Sequence, residues 1–170
     1  VRSNDWTDHL DAVSEVGLVT NAGSEFVRTG AIKTFTDGSI GGRTAKVSKP
    51  YADGDGDAHG EWVVTPEELR EWVDRAEDAG FQFTAHAIGD VAVRETLAAY
   101  RDTEAPGEAR HRVEHAEILD EAHVREFAET GVVASVQPTF HRWARGGGLY
   151  ESRLGERRTS ATNPLGALAE

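Results

Sequence analysis

Two rhythms of apolar residues run through this chain. Short runs enriched in β-branched and aromatic side chains, at Ala31 to Thr36, Phe81 to Ala87, Arg112 to Ala116 and Val132 to Gln137, have the length and composition of strands. Between the later runs, apolar positions recur at helical spacing. Thr65 caps one predicted helix, Pro66 takes its first position, and Glu68 completes a capping box. Leu69, Trp72, Val73 and Ala76 form its apolar stripe, and Gly80 stops it. Asp90 is placed to cap a second helix, with Val93, Leu97 and Ala98 on its inner face. Asp120 is placed to cap a third, which carries Val124, Phe127 and Ala128 and stops at Gly131. Near the amino terminus, Trp6, Leu10 and Val13 mark a helical segment, and Val16 to Thr20 is one more apolar run. Residues 40–64 are rich in Gly, Asp and Pro and lack periodicity; a connection of that length often lies over a functional site.

This alternation of strand and helix, punctuated by Gly and Asp, signals βα units and a parallel sheet. About five strands are counted, whereas a closed barrel of this type has eight strands in roughly 250 residues. The expected α/β architecture is therefore an open sheet or part of a barrel. In both, ligands gather at the carboxyl ends of the strands. His86, in His86-Ala87-Ile88-Gly89-Asp90, and His115, in Arg112-Val113-Glu114-His115, both stand at such ends. A single strand-end histidine is more often a packing residue than a ligand. Alternation along a strand turns Glu114 away from the side that His115 faces. His111 and Arg112 read as structural contacts, and His9, His59 and His123 as loop or helix-surface residues.

Composition narrows the chemistry. The chain has 170 residues, a formal net charge of −12 and no cysteine, so disulfides and thiolate metal sites are excluded. Any metal is held by His, carboxylate or modified Lys, the donor set of a hydrolytic ion. The negative surface repels phosphate backbones, so no nucleic-acid partner is expected. No segment is apolar enough for a membrane span or a signal peptide, and a cytoplasmic location is expected. Lys33, Lys46 and Lys49 are the only lysines. Abundant acids with scarce lysine fit a halophilic proteome or an ordinary acidic protein. Asp53-Gly54-Asp55-Gly56-Asp57 lacks the later Glu of a calcium loop and reads as a solvated turn. The absence of an initial Met suggests a processed chain or a piece of a longer one.

Five ordered motifs carry a resemblance. They are Lys33-x-Phe35-x-Asp37-Gly38-Ser39-Ile40-Gly41-x-Arg43-Thr44-Ala45, Pro50-Tyr51-x-Asp53, His86-Ala87-Ile88-Gly89-Asp90, Arg110-His111-Arg112-Val113-Glu114-His115-Ala116 and Gln137-Pro138. Over most of residues 28–165 the chain resembles the metal-dependent amidohydrolase superfamily, in the amidohydrolase family 3 branch that includes N-substituted formamide deformylase-like enzymes.

The resemblance implies a (β/α)8 TIM-type barrel of the metal-dependent hydrolase fold, of which this chain is a single partial catalytic domain over 1–170. It would span about strands 3 or 4 to 7, with the amino- and carboxyl-terminal parts of the full enzyme outside it. It implies one or two divalent metals, zinc foremost, with His86 and His115 as ligands and Lys33 as a candidate carboxylated bridge. His141, Asp37 and Arg158 are the implied substrate-binding residues. An Asp-Gly turn is an equal reading for Asp37, and packing an equal reading for His141. The family's His-x-His pair is absent, and its general-base aspartate is expected beyond Glu170, so no catalytic residue is assigned within the chain. The implied reaction is hydrolysis of non-peptide carbon–nitrogen bonds, such as those of amides or formamides, by metal-activated water. The small-molecule amide is then the partner, and exposed strand edges predict self-association. The alternative is a non-catalytic fragment or vestigial βα module.

Overall fold

A computed structural model describes residues 7–103 and 106–169, with side chains from Leu10 onward except Pro106. The expectations for Trp6 and for the His9 side chain lie outside the described residues. In chain order the elements are α1 (Thr7–Glu15), β1 (Ile32–Phe35), α2 (Pro66–Asp78), β2 (Phe83–Ala87), α3 (Asp90–Arg101), α4 (Pro106–Ala109), β3 (Arg112–His115), α5 (Glu121–Thr130) and β4 (Val133–Ser135). A 3₁₀ turn (Pro138–Trp143) and the short helices α6 (Leu149–Leu154), α7 (Glu156–Thr159) and α8 (Leu165–Ala169) follow.

The strands form one parallel sheet in the order β1-β2-β3-β4. Each neighbour in space is the next strand in sequence, joined through a helix, as the βα rhythm predicts. The expected capping box of α2 is present: Thr65 Oγ1 accepts from the Glu68 amide at 3.3 Å, and Glu68 Oε2 accepts from the Thr65 amide at 2.9 Å. Leu69, Trp72, Val73 and Ala76 are all buried beneath it. With Val93 and Leu97 of α3 and Phe127 of α5, they cover one face of the sheet, packing on Phe83, Ala85 and Val113. Each of the Leu, Val and Phe side chains among them contributes on the order of 1.5–3 kcal/mol through burial, the alanines less.

The opposite face is open. Register aligns Phe35 with His86, and His86 with Glu114, which in turn pairs with Ser135. Phe35 is 46 % exposed there. A second apolar cluster sits beyond the strand ends, where Ile40, Val47 and Tyr51 of the 37–64 loop pack with Ile88, Tyr150 and Leu154. The long loop is thus pinned to α6, and its contacts explain why it lacks periodicity.

Three expectations change. Val16 to Thr20 is no strand, because Val16 is 72 % exposed and the segment turns at Gly17. Asp90 makes no cap of α3; its carboxylate instead accepts from the Ser48 amide at 3.0 Å and from the Ser48 hydroxyl, tying the loop to the sheet. His123 is buried at 5 % exposure rather than on the helix surface, and its Nε2 donates to the Asp90 carbonyl at 3.0 Å. Asp120 is the cap expected for α5. His111 is the expected structural residue: Nδ1 accepts from the Phe83 amide at 3.0 Å and Nε2 donates to Glu77 at 2.9 Å.

Candidate functional site

β2 and β3 end side by side, and each end carries a histidine. Because His86 is in register with Glu114, regular alternation would send His115 to the helix-covered face. The backbone prevents this. His115 (φ 77°) and Ala116 (φ 48°) both take left-handed conformations, which side-chain-bearing residues rarely adopt. The His115 ring therefore returns toward His86, with centroids 4.6 Å apart and planes at 67°. Strained consecutive residues of this kind, each storing about 1–3 kcal/mol, cluster at functional sites. One expectation falls with this: Glu114 shares the face that carries His86. Its Oε1 accepts from Thr84 Oγ1 at 2.8 Å and from Arg112 Nε at 3.0 Å. Alternation holds up to Glu114 and fails one residue later.

Each imidazole has one nitrogen committed. His86 Nε2 donates to the Gly38 carbonyl at 2.7 Å, with Asp37 Oδ1 at 3.6 Å. His115 Nδ1 lies 2.6 Å from Gln137 Oε1, and the Phe140 ring stacks on it at 5.9 Å and 12°. Burial pushes the His86 pKa down to about 4, with the Gly38 bond opposing, and burial also lowers that of His115. Both rings are uncharged near neutral pH, the form that ligates a metal.

Lys33 lies on the open face with its ammonium 4.8 Å from the Phe35 ring centroid. Its side chain is solvent-accessible, yet partial desolvation of the amine lowers its pKa; Glu114 pulls it up and Arg112 adds to the lowering. Asp37 is 1 % exposed. Its carboxylate accepts from the amides of Ile88 (3.1 Å), Gly89 (2.9 Å) and Lys46 (2.9 Å). It fastens the end of β1 to the β2–α3 turn and to the long loop. Gly89 is required at this junction, since a Cβ there would meet the Lys46 carbonyl oxygen at 1.9 Å. Burial raises the Asp37 pKa to about 7 against the three amide bonds.

Arg158 spends its guanidinium on backbone carbonyls, those of Lys49 and Pro50 at 2.7 Å and Leu154 at 2.8 Å. His141 is exposed on the 3₁₀ turn that also carries Phe140. The structure thus brings His86, His115 and Lys33 to one face, sets His141 on the adjoining turn, and places Asp37 and Arg158 in the framework of the long loop. Glu114, Gln137 and Phe140 join the site without having been singled out for it. Gln137 was legible as a motif residue, whereas no sequence signal marks the left-handed step that turns His115.

The chemistry of the donors fits two ligands of a divalent ion, one nitrogen from each ring. Among the described residues no group of three or more His, Cys, Asp or Glu side chains is gathered to hold a metal. Among them, too, no helix is long and apolar enough to cross a membrane.

The sequence profile of the amidohydrolase family matches residues 4–170. Over 133 residues the chain is 34 % identical to YtcJ of Bacillus subtilis, named as an amidohydrolase, covering 78 % of this chain and 25 % of that protein. Over 136 residues it is 35 % identical to the LONG AFTER FAR-RED 3 protein of Arabidopsis thaliana, covering 78 % of this chain and 23 % of that one. An uncharacterized metal-dependent hydrolase from Pyrococcus furiosus superposes with a TM-score of 0.80 at 32 % identity, over 95 % of this chain and 33 % of that one. A second, from Pyrococcus horikoshii, matches with the same TM-score and identity. The chain spans about a quarter of the curated relatives and a third of the solved ones. Its sheet corresponds to part of a (β/α)8 barrel.

Proposed function

The chain belongs to the amidohydrolase family, and from that membership we propose that it is part of a metal-dependent hydrolase of carbon–nitrogen bonds other than peptide bonds, such as those of amides or formamides. The observation that carries this reading is the pair of uncharged rings, His86 and His115, 4.6 Å apart at neighbouring strand ends. A divalent ion held by them, zinc foremost, supplies Lewis acidity toward a carbonyl oxygen and toward a water.

The chain's own residues do the rest of what the site can do. Gly38 and Gln137 orient the two rings. The lowered pKa of Lys33 enlarges its free-amine fraction, the form that takes up carbon dioxide to become a carbamate. Such a group would act as a bridging ligand next to the two histidines. Phe35 and Phe140 flank the rings with apolar surface, and exposed His141 is the substrate-contact candidate. Catalysis further needs a proton-transferring carboxylate and additional ligands, which this reading assigns to strands of a larger catalytic domain outside residues 1–170.

The lack of a gathered third ligand among the described residues favours a second reading, a module that binds metal weakly and does not turn over. Cobalt titration followed by d–d absorption tests the first reading: a tetrahedral spectrum that disappears in His86→Ala and His115→Ala supports it. A spectrum unchanged in both variants sinks it. Turnover of N-formyl and N-acyl amines by a cobalt-loaded protein extended to the length of its relatives separates the two readings, since the first assigns the missing ligands and carboxylate to that larger domain.

A further inference from the structure

Gln137 ends the β4 run and is followed by Pro138, which confines the preceding residue to extended backbone; Gln137 has φ −114° and ψ 92°. That backbone sets its amide between two groups. Oε1 lies 2.6 Å from His115 Nδ1, and Nε2 donates to the Ser135 carbonyl at 3.2 Å. The orientation of the amide follows from the second contact. A flipped amide would set its oxygen against the Ser135 carbonyl, two acceptors facing each other. With the oxygen toward His115, only a proton on Nδ1 makes the short contact a hydrogen bond.

We propose that Gln137 is a positioning residue that fixes His115 as the Nδ1–H tautomer and thereby leaves Nε2 as its bare donor atom. The point is chemical. A free histidine side chain prefers its proton on Nε2, so the opposite tautomer needs a partner that pulls the proton to Nδ1. A metal ligand needs one unprotonated nitrogen aimed outward, and the acceptor on the other nitrogen decides which one it is. His86 shows the mirror arrangement, since the Gly38 carbonyl accepts from Nε2 and leaves Nδ1 bare. The two rings therefore offer unlike nitrogens. Phe140, stacked nearly parallel to the His115 ring, restrains the ring plane, so the Gln137 contact has to choose only the proton's place. The role of Gln137 rests on the reading of His115 as a ligand only for its effect on metal binding; the tautomer itself is a property of the metal-free chain.

The test is long-range ¹H–¹⁵N correlation of the imidazoles in the metal-free 170-residue chain at neutral pH, with His115→Gln used to assign the His115 signals. The expected result is a protonated, pyrrole-like Nδ1 on His115 in the wild-type chain. In Gln137→Leu the proton moves largely to Nε2, and in Gln137→Glu, which keeps an acceptor, it stays on Nδ1. Cobalt affinity should then fall by about 10–100-fold in Gln137→Leu and be retained in Gln137→Glu. A wild-type His115 protonated on Nε2 overturns the proposal, whether or not the Gln137 variants fold. So does a tautomer unchanged in Gln137→Leu. A shifted tautomer with unaltered cobalt affinity upholds the role of Gln137 and overturns the reading of His115 as a ligand.

Discussion

The ring of His86 meets that of His115 edge-on, 4.6 Å between centroids, in a setting where burial keeps both uncharged. Two neutral imidazoles in this arrangement have more to gain from a shared cation than from each other. Adding Co²⁺ or Zn²⁺ is therefore expected to raise the unfolding midpoint, by about 2.7 kcal/mol of stability when the free ion is 100-fold above its dissociation constant. Calorimetry with and without the ion checks this. Loss of the shift in His86→Ala and in His115→Ala is the expected control, and a shift that survives both places the ion elsewhere.

His86 also gives the fold a dependence on acid. Its folded pKa, about 4, lies below the ordinary value of 6.5, because burial opposes the charged ring. Above pH 6.5 neither folded nor unfolded chain binds the proton and the group is silent. As pH falls below 6.5, the unfolded chain protonates first, so stability drops until the pH passes about 4. The His86 share is read as a difference: between pH 7.5 and 4.5 the urea midpoint of the wild-type chain should fall relative to that of His86→Gln, which cannot titrate, whatever other groups add to both. A difference between the two midpoints that stays constant across this range would show that His86 contributes nothing to the pH dependence.

Asp37 acts with the opposite sign. Its folded pKa of about 7 lies above the ordinary 3.8, so its ionisation costs stability as pH rises between those values. Its hydrogen bonds are a separate matter. Asp37→Ala leaves the buried amides of Ile88, Gly89 and Lys46 without an acceptor, at about 1–3 kcal/mol each where water cannot reach them. Expected is a loss of at least ~3 kcal/mol in urea unfolding. Asp37→Asn keeps one acceptor oxygen and should lose less. A stability near wild type in Asp37→Ala would show that water replaces the carboxylate.

Helix α2 was readable residue by residue in the sequence, because its cap, its stripe and its stop obey local rules: Thr65, Leu69 to Ala76 and Gly80 all serve as expected. The parallel order of the sheet followed from the βα rhythm for the same reason. What the sequence hid depends on contacts between distant segments. Asp90 has the identity of a cap, but Ser48 from the long loop claims its carboxylate. Glu114 obeys alternation while His115 does not, and nothing in Glu114-His115-Ala116 announces two left-handed residues where no glycine stands. The Val16 to Thr20 run shows the converse: apolar composition alone makes no strand where no neighbouring strand offers a ladder.

Arg158 and Arg153 latch the long loop onto the region after β4. Arg158 bonds the carbonyls of Lys49 and Pro50, while Arg153 donates to the Gly41 carbonyl at 3.0 Å and pairs with Asp53, which also holds Arg43. Arg158→Ala should speed amide hydrogen exchange across residues 40–60, with a global stability loss of only about 1 kcal/mol because the freed carbonyls can meet water. Arg158→Lys is not a substitute, since one ammonium cannot span two carbonyls in the fixed geometry of a guanidinium. If Arg158 instead works on substrate, exchange in the loop stays at wild-type rates while amide binding falls.

β1 is an edge of the sheet among the described residues, and its inward side chains, Lys33 and Phe35, face an uncovered surface. A large apolar side chain beside unpaired strand edges favours association with a second copy. Sedimentation velocity is expected to show a weight-average coefficient that rises with protein concentration. Phe35→Glu should suppress that rise, because burying a carboxylate in the contact is costly and the repulsion of like charges across it adds to the penalty. The fold itself should lose no more than about 1 kcal/mol, since Phe35 packs on the open side only, against the His86 ring at 5.1 Å and the Lys33 stem. A wild-type chain that stays a single monomeric species over the whole concentration range would remove the edge from consideration as an interface.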